Sequence, residues 1–357
     1  MAVYEARAGE WRDRRAARFL DRVDRLNQAV APGATVADLG CGAGLHLPNL
    51  PRPAVALDAA YAMVAIARDT APDCPGVVAD LEMLPYRRGA LGGAWARASY
   101  LHVARDRLPW ALMELHHALA VGSPVHLTMM SGAGEGSLPD DDFAGRFFAR
   151  WTPDDLGEVV TGAGFEIVEL VHDGEPADSW IHVLARRERT LPDVVGPAMR
   201  LLVCGLNPSL NAADAGFGFA GPGNRFWPAA VEAGIVARAR ARARDPRLAL
   251  AEHGIGMTDL VKRASARASE LTVDDYRRGV ARVERLVRWL RPRATCFVGL
   301  AGWRAAVDRR AQPGPQADSF GGRPAYVMPS TSGLNARVPI GELVDHLRAA
   351  AELADTS

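Results

Sequence analysis

The sequence predicts an α/β protein made of two consecutive α/β domains. Its 357 residues exceed the usual size of one domain and are typical of two. In each half, apolar runs of strand length alternate with helix-length segments, the pattern of a sheet covered by helices. Two unlike glycine-rich loops each follow such a run: DLGCGAG at 38–44 and GLNPSLNAADAGFGFAGPGNRFW at 205–227.

The charge of the chain divides in the same way. Residues 1–195 carry 19 basic and 27 acidic side chains, a net charge of −8. Residues 196–357 carry 23 basic and 15 acidic side chains, a net charge of +8. The positive half could therefore contact nucleic acid. Because Lys262 is the only lysine, a preference for arginine runs through the whole chain and weakens this interpretation without explaining the difference between the halves.

The composition indicates a globular protein, with 48% hydrophobic and 24% charged residues. No apolar run approaches the roughly 18 residues of a membrane helix, and the N-terminus lacks the apolar stretch of a signal peptide. The cysteines are far apart and form no C-x-x-C pair. We therefore expect no metal site, no membrane contact and a reduced cytoplasmic compartment.

The first half repeats strands and helices. Strands are predicted at 35–41, 55–61, 76–86 and 95–103, a helix at 62–69, a helix and fifth strand within 114–130, and a further helix and strand within 148–171. This alternation predicts a doubly wound parallel sheet. A glycine-rich turn after the first strand of such a sheet lets backbone approach a ligand at the carboxyl edge. A glycine triplet alone is equally typical of a tight turn.

Here the triplet is followed in order by ALD at 56–58 and ADLEMLP at 79–85. On these motifs, residues 30–188 resemble class I S-adenosylmethionine-dependent methyltransferases; a dehydrogenase usually shows G-x-G-x-x-G instead. The resemblance implies a Rossmann-like fold and S-adenosylmethionine as cofactor. It implies that the methionine part lies against Asp38, Gly40, Gly42 and Gly44, the ribose against Asp58, and the adenine against Asp80 and Leu81.

The methyl acceptor cannot be read from the sequence. RASYLHV (97–103), at the end of the fourth strand, stands in place of the Pro-Pro loop of amino-methylating DNA enzymes, and the Pro-Cys nucleophile of cytosine-5 enzymes is missing. His102, His116 and His117 could act as bases. Single histidines on helices are more often structural, so none of them is assigned a role.

A cluster of charge, proline and glycine at 186–200 predicts a boundary between domains 1–190 and 191–357. The strand and helix pattern then restarts. Strands are predicted at 200–204, 254–261, 294–300 and from 324, and helices from Phe226 to Arg244, at 272–290, from Ala301 and at 339–354. Two loops, GLNPS at 205–209 and MPSTSGLNAR at 328–337, follow strand ends, where such folds place their sites.

Together with GFGFAGPGNRFW and GMTDLVKRASARASEL (256–271), these loops make almost all of 198–352 resemble one glycosylase family. It is the mismatch-specific uracil/thymine-DNA glycosylase branch of the uracil-DNA glycosylase superfamily. The resemblance implies an α/β/α sandwich that flips a base out of double-stranded DNA at G:U or G:T mispairs. It implies no cofactor and no metal for this half, and we expect a monomer.

The first loop supplies the candidate catalytic residue. Hydrolysis of a base–sugar bond passes through an oxocarbenium-like state. The site therefore needs a positioned water molecule and groups that stabilise the departing base. Asn207 can hold a water by its side-chain carbonyl but cannot act as a base. Pro208 stiffens the loop, and backbone N–H groups near Leu206 and Phe219 can bond the pyrimidine carbonyls. Phe219 is expected to stack on the flipped base, and Ser209 is a further substrate-binding candidate.

The rest of this loop is expected to support the site. Phe217 is either a support for Phe219 or plain core. Phe226 and Trp227 are expected to pack against the sheet at the start of a helix. Asn224 is expected to tie the loop down through hydrogen bonds to backbone.

The second loop supplies a candidate wedge. Leu334 is expected to fill the space that a flipped base leaves in the duplex, and the alternative is a leucine folded back on the core. Serine hydroxyls can bond phosphates, which position the DNA without specifying its sequence. Residues 335–337 are expected near the opposite guanine. The substrate-binding candidates of this loop are Ser330, Ser332, Gly333, Leu334, Asn335 and Arg337.

Two departures limit the resemblance. Efficient uracil-DNA glycosylases use Asp in the first loop and His-Pro-Ser in the second, whereas this chain has Asn207 and Ser330. We therefore expect slow hydrolysis that depends on weakly paired bases. Ala212 and Ala213 leave room for a 5-substituent, so thymine or a modified cytosine stays open. The arginine-rich run 237–247 is expected to be a solvated helix face with salt-sensitive phosphate contacts.

The sequence thus predicts a methyltransferase-like domain fused to a mismatch-type DNA glycosylase. Two alternatives stay open. In one, the protein is a small-molecule or RNA methyltransferase with a degenerate glycosylase half that binds nucleic acid, which the intact Asn207 opposes. In the other, the first half is a scaffold without cofactor, which the intact DLGCGAG and Asp58 oppose.

Overall fold

The structure is a computed structural model that describes residues 2–175, 178–237, 244–335 and 337–357. The chain divides into two compact units, Met1–Glu188 and Arg189–Ser357. Both units are mixed α/β, as the sequence predicts. In the described ranges, no helix is long and apolar enough to cross a membrane, and no group of three or more His, Cys, Asp or Glu side chains could hold a metal ion.

The first unit is a sheet of parallel strands that ends in an antiparallel hairpin. Its helices are α1 (Ala2–Ala6), α2 (Ala8–Asp13), α3 (Leu20–Ala29), α4 (Tyr61–Thr70), α5 (Leu108–Ala118) and α6 (Pro153–Gly162). Its strands are β1 (Val36–Leu39), β2 (Ala54–Asp58), β3 (Gly76–Val78), β4 (Gly93–Arg97), β5 (Pro124–Ser131), β6 (Glu135–Gly136), β7 (Phe148–Trp151), β8 (Phe165–Glu175) and β9 (Asp178–Arg187).

Strands β3, β2, β1, β4 and β5 are neighbours in that order and all parallel. The carboxyl ends of β1 to β4 therefore meet at one edge, directly before the polar residues that the sequence singles out. The predicted parallel sheet is present, and it is extended by a strand that the sequence did not predict, β9, which runs antiparallel to both β5 and β8. A strand that follows a strand breaks the strand–helix alternation on which that prediction depends.

The second unit has a smaller sheet in the order β11-β10-β12-β14-β13. Its strands are β10 (Leu201–Gly205), β11 (Ile255–Asp259), β12 (Ala294–Val298), β13 (Gly314–Pro315) and β14 (Ala325–Met328). Only the short edge strand β13 is antiparallel to its neighbour. Its helices are α7 (Leu210–Ala215), α8 (Phe226–Glu232), α9 (Pro246–His253), α10 (Val273–Leu290), α11 (Leu300–Ala306) and α12 (Ile340–Asp355).

Local sequence explains where the longest of these helices begins. The Thr272 hydroxyl accepts a hydrogen bond from the Asp275 amide at 3.2 Å, and the Asp275 carboxylate accepts one from the Thr272 amide at 2.9 Å. This reciprocal pair satisfies amides that lack a partner in the first turn. Along α10, Val283 and Val287 fall on one face and are buried in the core of the unit.

The predicted helix from Phe226 to Arg244 is much shorter than expected. Helix α8 ends at Glu232, and Gly234 then adopts a φ of +75°, which favours glycine and ends helical geometry. Most of the arginine-rich run at 237–247 lies outside the described residues.

Candidate functional sites

A cavity of about 770 Å³ lies at the carboxyl edge of the sheet in the first unit. Six of the seven predicted cofactor residues line it: Asp38, Gly40, Gly42, Asp58, Asp80 and Leu81. The seventh, Gly44, is not among the lining residues and lies against α4, where a Cβ atom would come within 2.9 Å of the Ala67 Cα. The third glycine of the triplet thus serves close packing of a helix on the loop.

The glycine loop is fixed by its neighbours. Gly40 and Gly42 have φ angles of +73° and +52°, and a Cβ atom at Gly40 would lie 2.3 Å from the Ser99 Cβ. A Cβ at Gly42 would lie 2.9 Å from the Trp11 ring. The Asp58 carboxylate accepts hydrogen bonds from the amides of Gly42 and Ala60, both at 2.9 Å. Asp58 therefore joins the end of β2 to the loop after β1.

Asp38 is a buried acid at the cavity wall. Its Oδ2 has no hydrogen-bond partner among the described residues. Burial, together with the charge of Asp58 and against that of Arg97, raises the pKa of Asp38 to about 8. A buried polar atom without a partner is costly, so this end of the cavity suits a ligand that brings a positive charge.

The two residues that the resemblance assigns to the adenine, Asp80 and Leu81, are less buried than Asp38. Asp80 is exposed and lies two residues beyond β3, where its carboxylate accepts a hydrogen bond from the Glu82 amide at 2.9 Å. Leu81 is half-buried beside it. The two side chains form a rim of the cavity, one polar and one apolar.

In the second unit, Asn207 lies directly beyond β10 and its amide orientation is fixed. Its Nδ2 donates to the carbonyls of Pro208 and Arg263, both at 3.1 Å, and to the Ser265 hydroxyl at 2.8 Å. Ser265 in turn donates its own proton to the Arg267 carbonyl at 2.9 Å, so its oxygen can only accept from Asn207. Because the Asn207 amide nitrogen donates to these three acceptors, the side-chain carbonyl oxygen is the atom of Asn207 that can still accept a hydrogen bond.

Phe219 forms one wall near this asparagine. Its ring stacks on Phe226, with centroids 4.1 Å apart and planes at 20°. Phe226, which the sequence assigns to packing, thus also supports the Phe219 ring, a role that the sequence left open for Phe217. A Cβ atom on Gly205 would lie 3.5 Å from the Phe219 ring, so this ring reaches the end of β10. Phe219 has a φ of +59°, a strained angle for a residue with a side chain.

Asp259 is a carboxylate at this place that sequence reasoning missed. It ends β11 directly opposite Gly205, and its Oδ1 lies 2.5 Å from where a Cβ on Gly205 would stand. Burial raises the pKa of Asp259 to about 6, against the positive charges of Lys262 and Arg282. The only sequence signal is an acid at the end of the apolar run IGMT.

The whole glycine-rich segment 205–227, called loop one below, is tied down by side chains at and just before the start of α8. The Asn224 carbonyl oxygen accepts a hydrogen bond from the Phe226 amide at 2.9 Å, which confirms the expected tie to backbone. The Trp227 indole donates to the Gly218 carbonyl at 2.8 Å. Ser209 caps α7 by accepting a bond from the Ala212 amide at 3.1 Å, so its hydroxyl already has a structural partner. Pro208 is buried and Leu206 half-buried.

The second loop, residues 328–337 and called loop two below, exposes Leu334 to solvent. The leucine side chain is 98% exposed, which contradicts the alternative that it folds back on the core. Around it, Ser330 and Ser332 accept bonds from the amides of Ser332 and Leu334, both at 3.3 Å, and the Asn335 side chain donates to the Ser330 carbonyl at 3.0 Å. Arg337 is exposed, and Ala336 lies outside the described residues.

Arg225 joins the two loops, a role that sequence reasoning missed. Its backbone amide donates to the Thr331 carbonyl at 2.9 Å. Its guanidinium donates to the Asn335 carbonyl at 2.7 Å, to the Ser332 carbonyl at 3.5 Å and to the Val338 carbonyl. Gly333 packs closely here, since a Cβ on it would lie 3.0 Å from the Gly223 carbonyl oxygen. One arginine of loop one therefore sets the shape of loop two.

Behind the strand ends lies a buried group of charges. The Asp193 carboxylate accepts bonds from the Thr258 hydroxyl at 2.6 Å, Lys262 at 2.9 Å and Arg282 at 2.6 Å. Burial would raise the pKa of Asp193, but Arg282 and Lys262 hold it below its ordinary value. The only lysine of the chain is thus 8% exposed and taken up in an ion pair.

Comparison with protein families and solved structures gives matches in both units. Residues 36–122 match a family model described as a methyltransferase domain, and residues 192–348 match the model of the uracil DNA glycosylase superfamily.

Several solved structures are similar over about half of the chain. A 1,6-didemethyltoxoflavin-N1-methyltransferase from Burkholderia thailandensis is 19% identical over 52% of this chain and 84% of its own, with a TM-score of 0.42. S-adenosylmethionine-dependent methyltransferases from Mesorhizobium loti and Methanosarcina mazei are 20% and 13% identical, with TM-scores of 0.39 and 0.41. They cover 47% and 46% of this chain and 100% and 97% of their own.

The family models agree with the order of the two units along the chain. The first matched segment contains the glycine loop and the β2 carboxylate, and the second contains both loops that Arg225 joins. The chain therefore combines a methyltransferase domain with a following domain of the uracil DNA glycosylase superfamily.

Proposed function

We propose that the second domain, residues 191–357, is a DNA glycosylase that removes uracil mispaired with guanine. The observation that carries this proposal is the fixed amide of Asn207. Its nitrogen is bound by three acceptors, which leaves the carbonyl oxygen to accept a bond from a water molecule. A water held there would attack a sugar that has acquired oxocarbenium character, where a weak nucleophile is sufficient.

The surrounding residues support the same reaction. The Phe219 ring, backed by Phe226, offers a flat apolar surface for a flipped pyrimidine, and such stacking is worth about 1–3 kcal/mol per base. Asp259 at the neighbouring strand end would favour positive charge on the sugar when its carboxyl is ionised. Ala212 and Ala213 are buried small residues on α7, so thymine stays a second candidate substrate.

The test is an excision assay with the full chain on duplexes that carry a single G:U, G:T or A:U pair. Alkali after incubation converts each abasic site to a strand break. We expect cleavage of G:U, weaker cleavage of G:T and the least cleavage of A:U, because a weakly paired base costs less to flip. Absence of breaks in every duplex would refute the proposal, and equal rates on G:U and A:U would refute mispair dependence.

Leu334 provides a prediction about base flipping. We expect Leu334→Ala to lower the rate of G:U excision by about 10- to 100-fold, because alanine cannot fill the space left by the extruded base. Val307 is also exposed and apolar, so Val307→Ala is the matched control and should excise at the wild-type rate. The rate is measured under single-turnover conditions. Wild-type excision by Leu334→Ala would show that this leucine is no wedge.

We further propose that the first domain, residues 1–190, uses S-adenosylmethionine. The partnerless oxygen of buried Asp38, the close approach at Gly40 and Gly42, and the Asp58 carboxylate at the end of β2 fit such a ligand. Asp38 would face its positive charge, Asp58 its ribose, and Asp80 with Leu81 its adenine. When bound, S-adenosylmethionine supplies an electrophilic methyl group on a sulfonium sulfur.

Asp38 provides a prediction about proton release. At pH 7 this carboxyl is protonated, because burial raises its pKa to about 8. A ligand ammonium group nearby favours the ionised form and so lowers that pKa. We therefore expect S-adenosylhomocysteine to release a proton when it binds at pH 7, and its affinity to rise as the pH approaches 8. Calorimetry in two buffers of different ionisation enthalpy measures the release.

The matched variant for this measurement is Asp38→Asn, which keeps the shape of the side chain and cannot ionise. It should bind with an enthalpy that does not depend on the buffer. A buffer-independent enthalpy in the wild-type protein would contradict the predicted proton release. A failure to bind S-adenosylhomocysteine at millimolar concentration would contradict the proposed cofactor.

A further inference from the structure

The cavity of the first unit extends beyond the predicted cofactor residues to a second pole. Tyr4 and His102 meet there, and Arg146 lies beside them. None of these residues belongs to the predicted cofactor site. The apolar side chains that line this pole are Leu101, Val103, Met130, Phe147 and Phe148.

The protonation of His102 follows from its two neighbours. Its Nδ1 lies 2.6 Å from the Phe147 carbonyl oxygen, and because a carbonyl can only accept, Nδ1 carries the proton. Burial lowers the pKa of His102 to about 4, so the ring is neutral at pH 7 and Nε2 carries a lone pair. The Tyr4 hydroxyl lies 2.7 Å from Nε2 and must donate its proton to it.

The Tyr4 oxygen also accepts a bond. The Arg146 guanidinium donates to it at 3.3 Å, and Arg146 is itself held by the carboxylates of Asp141 and Asp142. Burial raises the pKa of Tyr4, and Arg146 opposes this shift, so the phenol is uncharged at neutral pH. Tyr4 thus has a proton directed at a basic nitrogen and an oxygen that can accept another proton.

Tyr4 belongs to a cover segment, defined as residues 2–15, that lines this end of the cavity. Trp11 of the segment lies against Gly42. The Arg7 guanidinium stacks 4.4 Å from the centre of the Phe143 ring, and Arg15 forms an ion pair of 2.7 Å with Asp142. The cover segment therefore lines the cavity both beside Gly42, through Trp11, and beside His102, through Tyr4.

Charge argues against a nucleic acid at this place. Residues 1–195 have a net charge of −8, which repels a phosphate backbone. The apolar side chains of this pole, which lie beside the paired charges of Arg146, Asp141 and Asp142, instead fit a ring-sized molecule. A phenolic hydroxyl, that of Tyr4, already lies on the lone pair of His102.

We infer that this pole is the methyl-acceptor site, that it receives a small apolar molecule with a hydroxyl group, and that Tyr4 and His102 together remove the hydroxyl proton. This inference depends on the methyltransferase activity proposed above. The acceptor oxygen forms a bond to the methyl carbon while the carbon–sulfur bond of the donor breaks and its electron pair stays on sulfur. The hydroxyl proton passes to the Tyr4 oxygen, the Tyr4 proton passes to His102 Nε2, and the imidazolium then loses a proton to water.

A weak base is sufficient for this step. An oxygen that is forming a bond to a methyl carbon becomes strongly acidic, so the proton moves late and His102 must only be unprotonated at working pH. The Phe147 carbonyl keeps the lone pair on Nε2 by holding the proton on Nδ1. Arg146 orients the Tyr4 oxygen and does not take part in proton transfer.

The test uses the full chain, S-adenosylmethionine carrying a labelled methyl group, and 4-nitrophenol and catechol as acceptor probes. The variants are Tyr4→Phe and His102→Gln, and the matched control is Tyr61→Phe, an exposed tyrosine on α4. Binding of S-adenosylhomocysteine is measured first by calorimetry and should be the same within about twofold in all four proteins. Its failure in the wild type would refute the proposed cofactor, whereas unequal binding among the variants would refute a role confined to the acceptor.

We expect label to reach at least one phenol and the rate at saturating probe to fall by about 100-fold in His102→Gln and about 10-fold in Tyr4→Phe. Nitrogen NMR of labelled histidine gives a second readout, because the His102 Nε2 resonance should shift when a phenol binds with S-adenosylhomocysteine present. A protein that binds S-adenosylhomocysteine but neither binds nor methylates a phenol would overturn the inference. The inference would also be overturned if Tyr4→Phe methylated the phenol faster than the wild type, because Tyr4 would then only block the acceptor site. Transfer of the label to duplex DNA would overturn it as well.

Discussion

Asn207→Ala should lower the rate of G:U excision by about 100-fold or more, the usual loss when one preorganised polar group is removed from an active site. The wild-type side chain has its nitrogen fixed by the carbonyls of Pro208 and Arg263 and by Ser265. Alanine removes the carbonyl oxygen that would hold the water and the donor to Arg263 and Ser265, whereas the Pro208 carbonyl keeps its bond from the Ser265 amide. The rate is measured by single-turnover excision on a G:U duplex, and DNA affinity by fluorescence anisotropy on the same duplex.

The variant Asn207→Asp tests the role of the fixed amide more directly than Asn207→Ala does. Sequence reasoning expects an Asp at this position to give a faster and less mispair-dependent enzyme. The structure predicts the opposite for this chain, because a carboxylate oxygen would face the Pro208 and Arg263 carbonyls and could not donate to them. We expect Asn207→Asp to excise more slowly than the wild type and to unfold more easily, by about 1–3 kcal/mol for the unsatisfied groups. A faster Asn207→Asp would show that the fixed amide does not set the geometry.

Arg225→Ala should disable excision by releasing loop two. The guanidinium donates to the carbonyls of three half-buried residues, Ser332, Asn335 and Val338. The Ser332 and Asn335 carbonyls keep bonds from the amides of Asn335 and Val338, so the Val338 carbonyl is the group that loses its donor, at a cost of about 1–3 kcal/mol if it stays out of water. We expect a clear fall in the melting temperature of the second domain and a loss of excision of about 100-fold, since Leu334 would no longer be held in place. Arg225→Lys should not restore activity, because an ammonium lacks the planar fork that reaches several carbonyls.

Arg304→Ala separates the local effect from general destabilisation. Arg304 holds another loop of the same domain by donating to the Ala311 carbonyl at 2.9 Å and 2.7 Å. Its removal should lower the melting temperature while excision below that temperature stays near the wild-type rate. If both variants lose activity in proportion to stability, Arg225 has no specific role in positioning loop two.

Much of the fold could be predicted because it depends on local pattern. The runs that contain β1, β2, β10 and β12 are apolar and end at glycine or a polar residue, which marks both the strand and the edge of the sheet. The helix that begins after Thr272 follows from its cap and its apolar stripe. Strand β9 could not be found in this way, because its place in the sheet depends on pairing with β5, whose residues lie 50 to 62 positions away from their partners in β9 along the chain.

The residues of the candidate sites likewise differ in how far they can be predicted from local sequence. The polar residues at strand ends, such as Asn207 and Asp58, are visible in the sequence because they directly follow apolar runs. Arg225 and Phe226 were seen only as part of a loop anchor, since their partners, Asn335 and Phe219, come from other segments. Tyr4 shows the same limit more strongly: nothing in the sequence near residue 4 indicates that its hydroxyl lies on His102.

The burial of Lys262 bears on what happens after a base is removed. An abasic sugar in its open form is an aldehyde, and a nearby side-chain amine would condense with it to an imine and promote breakage of the strand. The only lysine of this chain is 8% exposed and bound to Asp193, so its amine is occupied at the moment when the sugar would be free. The proposed enzyme would therefore leave an intact strand with a missing base, and another protein would have to cut it.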